Sequence, residues 1–579
     1  MKKLLPLLFL LIATIAVVAC GDDSKEEPET TNQSPSATES EAAPETTAKA
    51  TEAEASTESP GDDDSAKIVI DTEERPPPGG GVFRRLWADP PTLDPHLTGD
   101  TTSAGIVVEI FSGLVTINTD LALVPDIAQE WQVDETGTVY TFTLRDNATF
   151  HNGERVTAHD FKWSIERAAS PELASHLADT YLNDIIGAED YIEGNASSIE
   201  GVQVIDERTL QVTIDAPKAY FLAKLSYPTA FVLHQETVES GGRNWWVDNA
   251  VGTGPFKLDE YRIGERIVLK RFDEYYREPR PDVDAINMNL AGGQAMAMYE
   301  NDEIDVTGVG LFDLERVLNP EEPLNAELVV APPGFSVSYI GMNASEPPFD
   351  DANFRKALNH AIDKELIADE VLAELVKPAY SILPPGFPGY TTDIKGLHFD
   401  PDLAREYLAQ SKYADRDTRP RIVVTVPGTG GTIGLDLEVI IEMWKQELGV
   451  EVEIQQVEWA TYLEDLDDRK FQAYAGLGWS ADYPDPQDFL DILFHTESGM
   501  NHGSYSNPEV DKILEKARTI QDVSERVSLY NQAEQMIVDD AAWVPTWFTG
   551  EQYALVKPYL KGYRLTPMVV PKLQEIRIE

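Results

Sequence analysis

Apolar and polar positions along this chain follow two periods. Tyr140-Thr141-Phe142-Thr143-Leu144 and Leu210-Gln211-Val212-Thr213-Ile214 place an apolar side chain at every second position, as a strand with one buried face requires. Val82-Phe83-Arg84-Arg85-Leu86-Trp87 predicts another strand, broken by Pro90-Pro91 and Asp94-Pro95. Residues 106–114 have helical spacing, with Ile106, Ile110 and Leu114 on one face. Residues 158–169 repeat it, with Phe161, Ile165 and Ala168 or Ala169 inward. Asn152-Gly153 signals a turn, and Gly252-Thr253-Gly254-Pro255-Phe256 a chain reversal before a strand pair containing Ile267-Val268-Leu269. Residues 354–372 predict one amphipathic helix, with Phe354, Leu358, Ile362 and Ile367 near one stripe.

Further on, residues 422–426 read as a buried strand, 435–448 as a helix and 450–457 as a strand. That order is the signature of an α/β unit with parallel pairing. A late helix over 524–538 and a strand over 543–547 lead to the C-terminus, and no fixed-period repeat is visible. The pattern predicts an α/β protein in several lobes rather than one barrel.

The first residues obey neither period. Lys2 and Lys3 precede a short apolar run that ends at Val17-Val18-Ala19-Cys20. This layout is a secretory signal, too short to span a bilayer with margin, since a span needs about 20 apolar residues. Cys20 is the only cysteine, and its place after a small residue resembles a bacterial lipobox, whose cysteine carries the lipid. Residues 21–80 are rich in Glu, Asp, Thr, Ser, Ala and Pro, and bury too little apolar surface to offset ordering entropy. They read as a disordered, self-repelling tether. The remaining chain is long enough for two or three domains and has no second apolar run of membrane-spanning length. One cysteine allows no internal disulfide. A net charge of −55 argues against nucleic acid or an anionic lipid surface as partner.

No catalytic constellation stands out. HExxH, GxSxG, Walker-type and GxGxxG motifs are missing. Gly428-Thr429-Gly430-Gly431-Thr432-Ile433-Gly434 leads into a helix but lacks the lysine and spacing of a nucleotide loop, and reads as a flexible connection or a backbone contact to ligand. His495 and His502, near Asp491 and Glu497, lack metal-ligand spacing and read as surface or hydrogen-bonded histidines. Neither metal nor cofactor is expected. The suggestive stretch is Gly478-Trp479-Ser480-Ala481-Asp482-Tyr483-Pro484-Asp485-Pro486. Two prolines after an apolar run make a rigid loop at a strand end, where open α/β sheets bind ligands. Asp482 flanked by Trp479 and Tyr483 offers a charge and π-faces to an ammonium group; a structured surface turn explains the stretch equally well.

This loop looks like the segment of oligopeptide-binding proteins in which an aspartate grips the α-amino group of a peptide. The likeness covers residues 81–579. Pro91-Thr92-Leu93-Asp94-Pro95 resembles the opening segment of family-five extracellular solute-binding proteins. Leu123-Val124-Pro125-Asp126-Ile127-Ala128-Gln129-Glu130-Trp131, then Tyr140 to Arg145 and Phe150 to Phe161, resemble its most diagnostic stretch. Residues 251–256, 343–355 and Val544-Pro545 also fit.

The resemblance implies a periplasmic-binding-protein type II fold, three-lobed, with a discontinuous first lobe and a cleft that closes by a hinge. Lobe one would comprise residues 81–111, 249–336 and 544–579, lobe two 112–248 and lobe three 337–543. Asp482 matches the amine-anchoring aspartate, Trp479 and Trp459 match pocket-lining aromatics, and Trp163 falls at a ligand-facing tyrosine. Ser480, Ala481 and Tyr483 complete the expected ligand segment. Leu477 departs from the family, standing where an arginine can meet the peptide carboxylate. The implied function is capture of oligopeptides outside the cytoplasm and delivery to the permease of an ABC importer. The protein would be a monomer, held to the membrane only by lipid on Cys20 and periplasmic if the host has an outer membrane. Nickel chelate, haem, oligosaccharide or signalling peptide are alternative cargoes on the same fold. An exported hydrolase is the rival of another class, and would need a nucleophile or metal set.

Overall fold

The computed structural model describes residues 80–579; Cys20, the signal and the tether through residue 79 lie outside the described residues. Three sheets organise the chain. The first has seven strands, running from Leu328–Ala331 through Gln552–Val556, Val306–Gly308, Val82–Leu86, Ala285–Asn289 and Arg266–Arg271 to Phe256–Arg262. Its strands come from three separated stretches of chain, which makes this lobe discontinuous. The second sheet has six strands, ordered Val376–Pro378, Trp543–Thr549, Ser336–Met342, Ala473–Ser480, Ile422–Pro427, Val452–Val457. The third is an antiparallel four-stranded sheet made by Ala128–Val133, Val139–Leu144, Thr209–Thr213 and Val202–Asp206.

Local chemistry explains most of these elements. In Val139–Leu144 the alternation holds as burial: Tyr140, Phe142 and Leu144 lie in the core and the threonines between them do not. The helix Ala158–Ala168 begins at a capping box, in which the Thr157 side chain accepts from the Asp160 N–H and the Asp160 side chain from the Thr157 N–H. Ile422–Pro427 and Val452–Val457 pair in parallel around the helix Leu435–Leu448, which stops at Gly449 in the left-handed conformation.

Three expectations need correction. The helix expected over 106–114 is Thr101–Ile110. Asp100 starts it by accepting from the N–H groups of Thr102 and Ser103, and the N–H groups of Thr253 and Gly254 cap the Ile110 carbonyl at 3.0 and 2.8 Å. That close crossing requires glycine, since a Cβ on Gly252 would meet the Ile110 carbonyl oxygen at 2.0 Å. Leu114 keeps the apolar period but packs beyond the helix, beside the four-stranded sheet. The single helix expected over 354–372 is two, Ala352–His360 and Lys364–Glu370. Asp363 splits it by accepting from the Leu366 N–H, so a cap wins over an unbroken apolar stripe. Third, the strand Trp543–Thr549 pairs wholly within the six-stranded sheet, so the chain crosses to the seven-stranded sheet at Gly550, later than the expected 543/544 boundary.

Asp94 of the opening segment ties two lobes together. It is buried and accepts from both Arg167 Nη atoms at 3.0 and 2.5 Å and from Trp245 Nε1 at 3.0 Å.

Candidate functional site

The strand Ala473–Ser480 is central to the six-stranded sheet and delivers its C-terminal end to the inter-lobe space. Ser480 pairs with Ser336, and the Ala481 N–H donates to the Phe335 carbonyl at 2.8 Å. The chain then turns through Tyr483-Pro484-Asp485-Pro486 into the helix Gln487–Phe494. Asp485 fixes the turn. It accepts from the Gln487 N–H at 3.0 Å and from Arg526 Nη1 and Nη2 at 2.9 and 2.5 Å in a buried bidentate pair. Tyr483 is fully buried, and its hydroxyl donates to Gln487 Oε1.

Asp482 projects half-buried from this frame. Its Oδ2 accepts a short hydrogen bond from the Tyr181 hydroxyl, contributed by the helix Ala178–Leu182 on another lobe. Tyr181 is itself held by parallel stacking on Tyr227, with centroids 3.8 Å apart. The Asp482 N–H donates to Oδ2 of the buried Asp488 at 3.1 Å. Two carboxyls are therefore close neighbours, one half-buried and one buried. Among the described residues neither forms an ion pair. Burial pushes the Asp482 carboxyl up to about 7, with the Tyr181 hydroxyl pulling the other way. Burial, and then the charge of Asp482, raises Asp488 well above the carboxylate range. The Trp479 indole N–H lies close enough to moderate that rise, but outside hydrogen-bond geometry. A cation brought here would relieve both carboxyls.

The expected site residues separate into groups. Asp482, Trp479 and Trp459 pack around one core cluster with Tyr181 and Tyr227, and Trp459 stacks on Tyr462. Ala481 and Tyr483 belong to that core rather than offering faces to a ligand. Ser480 lines an inter-lobe cavity of about 440 Å³ with Ser336, Thr549, Arg85, Glu109 and Lys572. Trp163 is not brought to Asp482; it packs against the cluster of Phe111, Trp245 and Phe256. His495 and His502 face Glu515 and Asp467 separately, and no cluster of metal-ligating side chains occurs among the described residues. The loop at Gly428 is held by Gln456, whose side chain accepts from the Gly430 N–H and donates to the Gly431 carbonyl. Tyr181, Asp488, Arg85 and Lys572 were not legible from sequence, because each meets its partners only through the fold.

Residues 122–501 match the model of bacterial extracellular solute-binding proteins, family 5 middle. The periplasmic oligopeptide-binding protein OppA of Escherichia coli is 30% identical over 489 residues, 82% of this chain and 87% of that protein. Among solved structures, Listeria monocytogenes OppA bound to peptide superposes with a TM-score of 0.76 at 26% identity, covering 86% of this chain and 99% of the other. The Escherichia coli murein tripeptide binding protein MppA superposes at 0.77 and 26% identity, covering 86% and 98%. The unliganded open form of MppA superposes less well, at 0.61 with the same identity, covering 87% and 99%.

Proposed function

The chain belongs to the bacterial extracellular solute-binding proteins of family 5, and from that premise we propose that it captures oligopeptides outside the cytoplasm and hands them to the permease of an ABC importer. The observation that carries the reading is the Asp482–Asp488 pair, a half-buried and a buried carboxyl that form no ion pair among the described residues. A peptide's α-ammonium supplies the missing charge and can donate to Asp482 beside the Tyr181 hydroxyl. Residues 475–480 have no strand partner on the Ile422–Pro427 side of their strand, and that free edge can offer a peptide backbone sequence-independent hydrogen bonds. The Tyr181–Asp482 contact joins two lobes, and the poorer likeness to the open form of MppA supports a closed arrangement. Cargo is enclosed and no bond is made or broken. In this reading Cys20 carries the lipid and the chain works as a monomer. No helix among the described residues is long and apolar enough to cross a membrane.

Native mass spectrometry of the protein expressed without residues 1–20, as purified, tests the proposal. A spread of adducts at peptide masses is expected. A single sharp non-peptide mass would move the function to a dedicated carrier of that solute.

A further inference from the structure

The cavity beyond Ser480 has the opposite character to the Asp482 pocket. Arg85 extends from the strand Val82–Leu86, and its guanidinium lies 3.9 Å from the centroid of the Trp87 ring. Lys572 comes from the C-terminal segment and donates to Thr566 Oγ1 at 3.2 Å. Both line the cavity. Among the described residues no carboxylate lies within ion-pair distance of either, and Arg85 Nε is buried without a partner. Burial and the charge of Arg85 push the Lys572 ammonium down to about 8. The acid between them does not compensate. Glu109 spends Oε1 on the N–H groups of Lys572 and Leu573, at 2.8 and 3.0 Å, and its Oε2 is buried without a partner. Burial pushes its carboxyl up to about 7, so near neutral pH it carries only part of a charge. In a chain of net charge −55, two adjacent cations that share one partly protonated acid and form no ion pair among the described residues mark a place that can take a further negative group.

We propose that Arg85 and Lys572 form an anion seat that takes a carboxylate of the bound peptide, opposite the amine seat at Asp482. This rests on the peptide reading above and deepens it, since it names what holds a second charged group of the same ligand. The geometry suits the role. Ser480 lines the cavity and stands two residues before Asp482, so the cavity begins within about 7 Å of the amine seat along the chain. Ser336 and Thr549 add hydroxyls to its wall, while Met568, Val569 and Val570 supply an apolar side. Charge-assisted bonds in such a partly dry site are stronger than neutral ones. The seated group is either the peptide's own C-terminus or an acidic side chain.

Calorimetric titration of the lipid-free protein separates these cases. The probes are alanine tri-, tetra- and pentapeptides as free acids and as C-terminal amides, and tetrapeptide amides carrying Glu or Gln at each position. At least one exchange of carboxylate for amide should weaken binding tenfold or more. Amidation having that effect assigns the C-terminus; Glu-to-Gln exchange having it assigns a side chain. The variant Arg85→Gln with Lys572→Gln should bind acid and amide alike. Because the ligand change acts on the unaltered protein, the test survives a variant that fails to fold. Acid and amide binding within twofold throughout, while N-acetylation still weakens binding, overturns the anion seat and leaves the peptide reading intact. Failure of every probe to bind, N-acetylated or free, overturns the peptide reading and the seat with it.

Discussion

Exchanging Asp482 for asparagine removes one charge from the amine seat and little else. Asparagine keeps the shape and an oxygen that can accept from the Tyr181 hydroxyl, so the inter-lobe contact survives. The charge interaction lost is that of an ammonium about 4 Å from a carboxylate, worth about 4 kcal/mol at an effective dielectric of about 20. Two features of the structure reduce it. The ligand can still donate a neutral hydrogen bond to the amide oxygen. The Asp482 carboxyl is also held near 7 by burial, so the unliganded protein is not strained by a full buried charge at neutral pH. A net loss of about 3 kcal/mol, roughly 150-fold in Kd, follows. N-acetylation of the peptide should cost the unaltered protein about the same, because the orphaned carboxyl takes up a proton cheaply. The decisive quantity is the double-mutant cycle by calorimetry at pH 7. Acetylated peptide on Asp482→Asn should be no weaker than either single change. Losses that simply add would show that Asp482 and the amine act independently, and a Kd within threefold for the variant would remove Asp482 as the anchor.

Two further outcomes follow from the same geometry. Because burial pushes the Asp482 carboxyl up to about 7 and the ammonium needs it ionised, affinity for free-amine peptides should fall, by roughly tenfold or more, as pH drops from about 7.5 to about 5.5. The ratio to an N-acetylated peptide of the same C-terminus cancels titration of Glu109 and Lys572, and a flat ratio over that range would contradict the assigned shift. Arg526→Ala should destabilise the protein by about 3–5 kcal/mol in calorimetric unfolding, since it leaves Asp485 buried and unpaired under the loop that carries Asp482. An unchanged unfolding profile would mean that the bidentate pair does not hold the loop.

What the sequence reveals here depends on how far apart the interacting residues lie along the chain. The strand at Val139–Leu144 and the strand–helix–strand unit from Ile422 to Val457 are legible because burial of one face imposes a period on neighbouring residues. The break at Asp363 is not, because Phe354, Leu358, Ile362 and Ile367 are all buried and keep their stripe through it. Asp482 is legible through its rigid Pro-flanked loop and the family likeness. Its partner Tyr181 stands 301 positions away, and nothing local to either residue encodes the meeting. Trp163 shows the converse, a resemblance that names an aromatic whose packing lies with another cluster.

The same limit bears on charge. A chain of net charge −55 suggests a preference for cationic ligands, yet at physiological salt the field of surface acids decays over about 8 Å. Inside the cleft the nearest groups decide. Two carboxyls dominate at Asp482, and two cations without an ion-pair partner dominate at Arg85 and Lys572, although both sites lie in one acidic molecule. A zwitterionic ligand aligned between them satisfies both at once, whereas reversing it puts each charge against its like. With the C-terminus as the seated group, the two proposed seats would fix the direction of a bound peptide, which strand-edge hydrogen bonding alone would leave less determined.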